Sequence, residues 1–161
     1  MRVAIIGAGP RGLWAAEALM ERARQRGAAI ELTVFNDGPL DTASGNGAFQ
    51  EFLPDQWLLN VPAHVIETQL GTFNDWRGAT DPFPPRSTVG RFLQASWRAL
   101  EEHLPPRCSL EIRSEAVREL SLDDAHVLLE GEPFEEILLT TGHAQHWPGS
   151  LAGEEIAGLP V

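Results

Sequence analysis

Three glycines near the start of the chain, Gly7, Gly9 and Gly12, stand at the spacing G-x-G-x-x-G. The chemistry served by that spacing is the binding of a diphosphate. A first glycine lets the chain turn sharply out of a strand, a second leaves room for an anion to approach the backbone, and a third allows close helix–strand packing. Unpaired N–H groups at the start of the following helix, with the positive end of its dipole, then face the anion. A glycine-rich turn without a ligand would satisfy the spacing equally well, so context decides. Here Val3-Ala4-Ile5-Ile6 is an apolar, β-compatible run and a helical pattern begins directly after the glycines. That is the context of a dinucleotide site.

The elements that must position this loop can be read outward from it. Leu13, Ala16, Leu19, Met20 and Ala23 recur at three- and four-residue spacing and predict a helix over about residues 11–26 with one apolar face for a sheet. Arg22, Arg24 and Arg26 suit the negative end of its dipole, and Gly27 can supply a left-handed stop. Ile30, Leu32 and Val34 alternate with Glu31 and Thr33, and Phe35 continues the second strand, completing a β-α-β unit. In the dinucleotide fold an acidic residue at the end of this strand receives the ribose hydroxyls. Asn36 and Asp37 occupy that place. Asn36 can hydrogen-bond a hydroxyl without repelling a 2′-phosphate, and Asp37 can take the acidic role. Asn36-Asp37-Gly38-Pro39 reads equally well as a plain turn.

Residues 38–87 change character. Gly, Pro, Asn, Asp, Ser and Thr dominate, interrupted by apolar islands that include Trp57-Leu58-Leu59, Phe73 and Trp76. The segment is too apolar for a disordered linker and is expected to be an ordered, site-forming excursion. Ser87 or Thr88 is expected to cap a helix over about 88–103 whose buried stripe is Val89, Phe92, Leu93, Trp97 and Leu100, ended by Pro105-Pro106. Arg91 falls in the first turn of that helix, where a positive charge opposes the dipole and calls for an anionic neighbour, either a cofactor phosphate or Asp81. Short strands are expected at about 109–113, 116–121, 126–130 and 134–140, with Leu122-Asp123-Asp124-Ala125 as a hairpin turn. Ile137-Leu138-Leu139-Thr140-Thr141-Gly142 reads as a strand buried on both faces, ending in small residues that permit close approach.

Composition narrows the partners. The chain has 161 residues, 43% of them hydrophobic, enough for one core. A net charge of −11 disfavours nucleic acid and anionic lipid, so a bound dinucleotide must be held by local dipoles and an arginine or two. Cys108 is the single cysteine, which leaves no disulfide, zinc cluster or redox pair within the chain. His143 and His146 share a His-x-x-His spacing without a third ligand, so no metal is expected. With neither a signal peptide nor a long apolar run in view, a cytoplasmic location is expected and no membrane association.

Four motifs in order, Gly7-Ala8-Gly9-Pro10-Arg11-Gly12-Leu13, Leu58-Leu59-Asn60-Val61-Pro62-Ala63, Gly90-Arg91-Phe92-Leu93 and Leu138-Leu139-Thr140-Thr141-Gly142-His143, resemble the bacterial FAD/NAD(P)-binding proteins. These are distantly similar to flavin-dependent N-hydroxylating monooxygenases and to the glutathione-reductase-like fold. The resemblance implies an α/β fold: a Rossmann-type parallel sheet with a small antiparallel β-meander, forming a FAD/NAD(P)-binding domain over residues 1–148. It implies FAD as cofactor, with NAD(P) as the alternative or co-substrate. Gly7, Gly9, Pro10, Arg11 and Gly12 would meet the pyrophosphate, Asn36 or Asp37 the ribose, Asn60 and Arg91 would line the cofactor, and Thr141-Gly142 would approach it a second time. Thr140 stands where the family often has alanine, and Asn36 where many relatives carry an acid. Relatives continue into a second region, so residues 149–161 read as a tail or as the start of a missing region. A further domain or a partner would complete a flavin-dependent oxidoreductase, and a homo-oligomer or a missing second domain is expected. His64, His143 and His146 are the titratable loop residues available for proton transfer. A plain NAD(P)-binding domain and a non-catalytic module acting through a partner remain as alternatives.

Overall fold

The computed structural model describes residues 1–40, 47–50, 53–123 and 126–142. Its centre is a four-stranded sheet, all parallel, built from β1 (Arg2–Ile6), β2 (Ile30–Phe35), β5 (Cys108–Arg113) and β9 (Glu136–Leu139) in the order β5-β2-β1-β9. In register, Ile5 lies between Val34 and Leu138, and Val34 between Ile5 and Ile112. The strands turn Val3, Ile5, Leu32 and Val34 to one face, where helices α1 (Pro10–Arg26) and α3 (Arg86–Glu102) cover them. Leu13, Ala16, Met20 and Ala23 of α1 and Val89, Phe92, Leu93, Trp97 and Leu100 of α3 are all buried there, which is the periodic stripe of each helix. Gly27 stops α1 in the left-handed conformation, with φ 61°.

The opposite face carries Ala4, Ile6, Phe35 and Ile137. A three-stranded antiparallel meander, β6 (Leu120–Leu122), β7 (Val127–Leu129) and β8 (Glu132–Phe134), covers it with Leu129 and Phe134. Phe134 meets Phe35 edge to face at 6.0 Å between ring centres. Glu132 fastens the same contact: its carboxylate accepts from Arg113 at 2.6 Å and from Arg2. The Arg113 hydrogen bond, ahead of the one from Arg2, holds that carboxyl below its ordinary value. The architecture is thus α/β with a Rossmann-type parallel sheet and a small meander, as expected.

The excursion after β2 contributes a two-stranded hairpin, β3 (Glu67–Thr68) and β4 (Gly71–Thr72), and a short helix α2 (Phe73–Arg77) capped by Thr72 Oγ1, which accepts from the Asp75 amide at 3.2 Å. It is tied to the helical layer at several points. Trp14 Nε1 donates to the Glu67 carbonyl at 3.0 Å, the Gln69 amide to Glu17 Oε1 at 2.9 Å, and the Thr68 and Ser96 hydroxyls pair at 2.8 Å. Leu59 and Phe73 are buried, with Phe73 against Phe92 at 5.3 Å, whereas Trp57, Leu58 and Trp76 are exposed.

Several expectations are corrected. Helix α3 begins at Arg86 with Pro85 at the cap position and no side-chain cap, because Ser87 is itself buried inside the first turn. Arg91 is therefore in the second turn, past the reach of the dipole's positive end. Asp81 is not its partner: it pairs with Arg77 at 2.7 Å, while Arg91 donates to Thr88 Oγ1 at 3.2 Å. The strand expected over 134–140 divides, residues 132–134 entering the meander and 136–139 the parallel sheet. Strand β9 is not buried on both faces, since Leu138 is 43% and Leu139 62% exposed. It is an edge strand, with no described element on its outer side.

Candidate functional site: the loop between β1 and α1

Residues 6–9 leave the C-terminal end of β1 in the middle of the sheet, and three glycines shape their path for different reasons. Gly7 has φ 107°, a left-handed conformation that side chains resist, and a Cβ there would overlap the Thr140 carbonyl oxygen. A Cβ on Gly12 would overlap the Gly7 carbonyl oxygen, so Gly12 brings α1 against the loop. Gly9 differs from both. Its φ is −68° and its ψ −172°, open to any residue, and a Cβ added there would meet nothing within 4 Å. Gly7 and Gly12 are required by the protein's own packing, whereas Gly9 faces open space.

The peptide groups of the loop are pinned one after another. Gly7 N–H donates to the Phe35 carbonyl at 2.8 Å, and the Ile6 carbonyl accepts from the Thr140 amide at 2.8 Å. Thr140 Oγ1 donates to the Gly7 carbonyl at 2.6 Å, with a second contact to the Ile6 carbonyl at 3.1 Å. Ala8 N–H donates to Asn36 Oδ1 at 3.0 Å, and the Ala8 carbonyl accepts from Trp97 Nε1 at 3.0 Å. One donor in the sequence of peptides remains: among the described residues Gly9 N–H has no protein partner. It sits at the cap of α1, where Pro10 at the first helical position has no N–H and the amides of Arg11 and Gly12 have no preceding carbonyl in the helix. The first turn contains no acidic residue. An anion is the ligand that open space, orphan donors and helix dipole jointly suit.

Asn36 is buried at the end of β2, and its amide does two things. Oδ1 holds the Ala8 amide, and Nδ2 donates to the Gly38 carbonyl at 2.8 Å. A carboxylate could do the first and not the second. The turn reading of Asn36-Asp37-Gly38 therefore holds as well: Gly38 N–H also donates to the Asn36 carbonyl at 2.9 Å. Asp37 is exposed beside it.

The structure gathers Gly7, Gly9, Pro10, Gly12 and Asn36 around one loop, with Thr141 and Gly142 following Thr140 on its far side. Arg11 is exposed on the first turn of α1. Asn60 and Arg91 are both exposed, on the excursion and on α3, and neither hydrogen-bonds the loop. His64 is exposed in a short 3₁₀ turn over Ala63–Val65, and His143 and His146 lie outside the described residues. Two residues that hold the loop went unassigned in the sequence. Trp97 reads only as one apolar position in a helical stripe. Thr140 reads as a mild replacement of alanine, yet its hydroxyl makes the bond an alanine could not, and that departure was the signal.

A cavity of about 230 Å³ is lined by Pro39, Leu40, Gln94, Trp97, Ile112 and Ser114 among others. Gln94 Nε2 is buried beside it, with no hydrogen-bond partner among the described residues. Among the described residues no helix is long and apolar enough to cross a membrane.

A family model described as FAD-NAD(P)-binding matches residues 4–144. No curated protein sequence matches the chain. Among solved structures, the crystal structure of Tmm from Pelagibacter sp. strain HTCC7211 superposes with a TM-score of 0.58 at 20% sequence identity, over 89% of this chain and 36% of that one. At that identity the likeness is one of fold. The chain spans little more than a third of that protein's length.

Proposed function

The chain belongs to the FAD-NAD(P)-binding family, and on that footing we propose that residues 1–148 are the FAD-binding module of a flavin-dependent oxidoreductase, NAD(P)H-linked when complete. The observation that carries the reading is the unpartnered Gly9 N–H, turned to open space at the start of α1. Gly7, Gly9, Pro10, Arg11 and Gly12 form the seat of the pyrophosphate. Asp37, exposed beside the committed amide of Asn36, takes the ribose hydroxyls. Asn60 and Arg91 extend the lining, and Thr141-Gly142 approaches the cofactor from the end of β9. In such a module the flavin supplies the redox chemistry, while the protein binds, orients and excludes water.

A second reading keeps the same seat for NAD(P). Asn36, standing where many relatives carry an acid, keeps that reading open. For the module to be part of a larger enzyme, a further domain or a partner must supply the substrate side. The exposed edge of β9 and the exposed Trp57, Leu58 and Trp76 are the apolar surfaces available for it.

The visible absorbance spectrum of the purified chain, with mass analysis of what it releases on denaturation, tests the reading. A flavin spectrum and released FAD are expected. A colourless chain that takes up NAD(P)H and no FAD would replace FAD by the nicotinamide dinucleotide, and a chain that binds neither would overturn the proposal.

A further inference from the structure

Trp97 is 2% exposed, and its indole N–H reaches from α3 to the Ala8 carbonyl at 3.0 Å. That carbonyl belongs to the same peptide group as Gly9 N–H. In a trans peptide the C=O and N–H point in opposite directions, so fixing one end fixes the aim of the other. The preceding peptide is already held at both ends, its oxygen by Thr140 Oγ1 at 2.6 Å and its N–H by Asn36 Oδ1 at 3.0 Å. We infer that Trp97 is a positioning residue for the phosphate seat: its N–H anchors the Ala8 carbonyl so that the Gly9 N–H is aimed, unpaired, at the bound anion. The inference rests on the reading of residues 7–12 as that seat.

The arrangement does more than orient. Indole N–H, peptide C=O and N–H, and phosphate oxygen form a chain of hydrogen bonds, each polarising the next in a buried, low-dielectric setting. An anion accepting from Gly9 N–H pushes electron density along the peptide onto its oxygen, which strengthens the bond that oxygen accepts. Binding at the loop is thereby felt at an indole proton inside the helical layer.

Trp97→Phe removes the N–H and keeps most of the ring packing. ADP binding to the whole chain, measured by titration calorimetry, is expected to weaken by about 3- to 10-fold, the worth of one hydrogen bond. A purely structural role for Trp97 would not move the second readout, the Nε1–H proton resonance of Trp97 in the unaltered chain, assigned by its loss in Trp97→Phe. It should shift downfield as ADP saturates the site, and also with inorganic pyrophosphate, which has no aromatic ring. A shift with ADP that pyrophosphate does not reproduce would belong to the adenine ring and overturn the inference. So would unchanged ADP affinity in a folded Trp97→Phe. If that variant does not fold, the response of the unaltered chain decides, its resonance then assigned by sequential connectivity. An unaltered chain that binds neither ADP nor FAD would overturn the proposed function itself.

Discussion

Substituting the three glycines one at a time separates what the fold needs from what the ligand needs. At Gly9 the backbone conformation suits alanine and the new Cβ meets nothing within 4 Å, so Gly9→Ala costs the folded chain no contact. Reduced freedom of the unfolded chain favours alanine by about 0.4–1 kcal/mol, and the poorer fit of alanine at a helix cap offsets it. Stability should stay within about 1 kcal/mol of the parent. At Gly12 a helix-propensity gain of about 1 kcal/mol opposes an overlap with the Gly7 carbonyl, a backbone atom with no room to yield. Overpacking of that kind costs about 1–3 kcal/mol or more. At Gly7 the strained φ of 107° adds a further ~1–3 kcal/mol to the overlap with Thr140. Affinity should run the other way. Gly9→Val places its branches where the anion approaches and removes a charge-assisted bond worth about 1.5–3 kcal/mol, a loss of roughly 10- to 150-fold. Urea denaturation gives the stabilities and calorimetric titration with ADP the affinities. A Gly9→Ala variant as unstable as Gly12→Ala would refute the division of roles, as would Gly9→Val binding ADP like the parent.

Other substitutions probe the supports. Thr140→Val deletes the hydroxyl that holds the Gly7 carbonyl and should destabilise by about 1–3 kcal/mol in urea, and an unchanged midpoint would mean the bond is dispensable. Gln94→Leu replaces a buried amide nitrogen that has no partner among the described residues, so it should leave stability equal or raise it by up to about 1 kcal/mol, and a clear loss would show that the amide is satisfied in solution. The carboxyl of Glu17 is held above its ordinary 4.5 by burial, which outweighs the opposing Gln69 hydrogen bond. Between 4.5 and that raised value the folded chain keeps a proton the unfolded chain has released, so the group's contribution to stability falls as pH rises through this window. Glu17→Gln keeps an acceptor for the Gln69 amide; its stability advantage over the parent should be present at pH 7 and shrink toward pH 4.5, and a pH-independent difference would contradict the assignment.

The loop and its frame were legible because local rules and tertiary needs agree there. An apolar run, three spaced glycines and an amphipathic stripe each specify the β1–α1 turn, and β1, β2 and α1 fall within a residue of expectation. Where one signal had two meanings, the reading failed. Ser87 and Thr88 are good caps and point to a helix start beside them; in the fold Ser87 lies inside the first turn, and with α3 starting at Arg86 the side chain of Arg91 falls past that turn. Ile137-Leu138-Leu139 has the composition of a strand covered on both sides, but composition alone does not separate a central strand from an edge strand, and β9 lies at the edge. The loop's supports were hidden for another reason. Hydrophobic periodicity places Trp97 in the core and is silent about where its N–H goes, and nothing near Ala8 in sequence announces that residue 97 and residue 36 will take its two ends.

The bond from Thr140 to the Gly7 carbonyl joins residues 133 positions apart. A ribosome adding about 5–20 residues per second delivers the threonine roughly 7 to 27 s after the glycine. Through that interval the glycine loop exists without its latch, and β1 lacks the neighbour it will have on one side. A nascent chain is then expected to lack a fixed anion seat until Thr140 has been made and has docked on the loop. Chains released short of residue 140 would be exposed as a class by their failure to retain a dinucleotide. The loop made first is thus latched by a strand made long after it, so its geometry depends on the order in which the chain emerges.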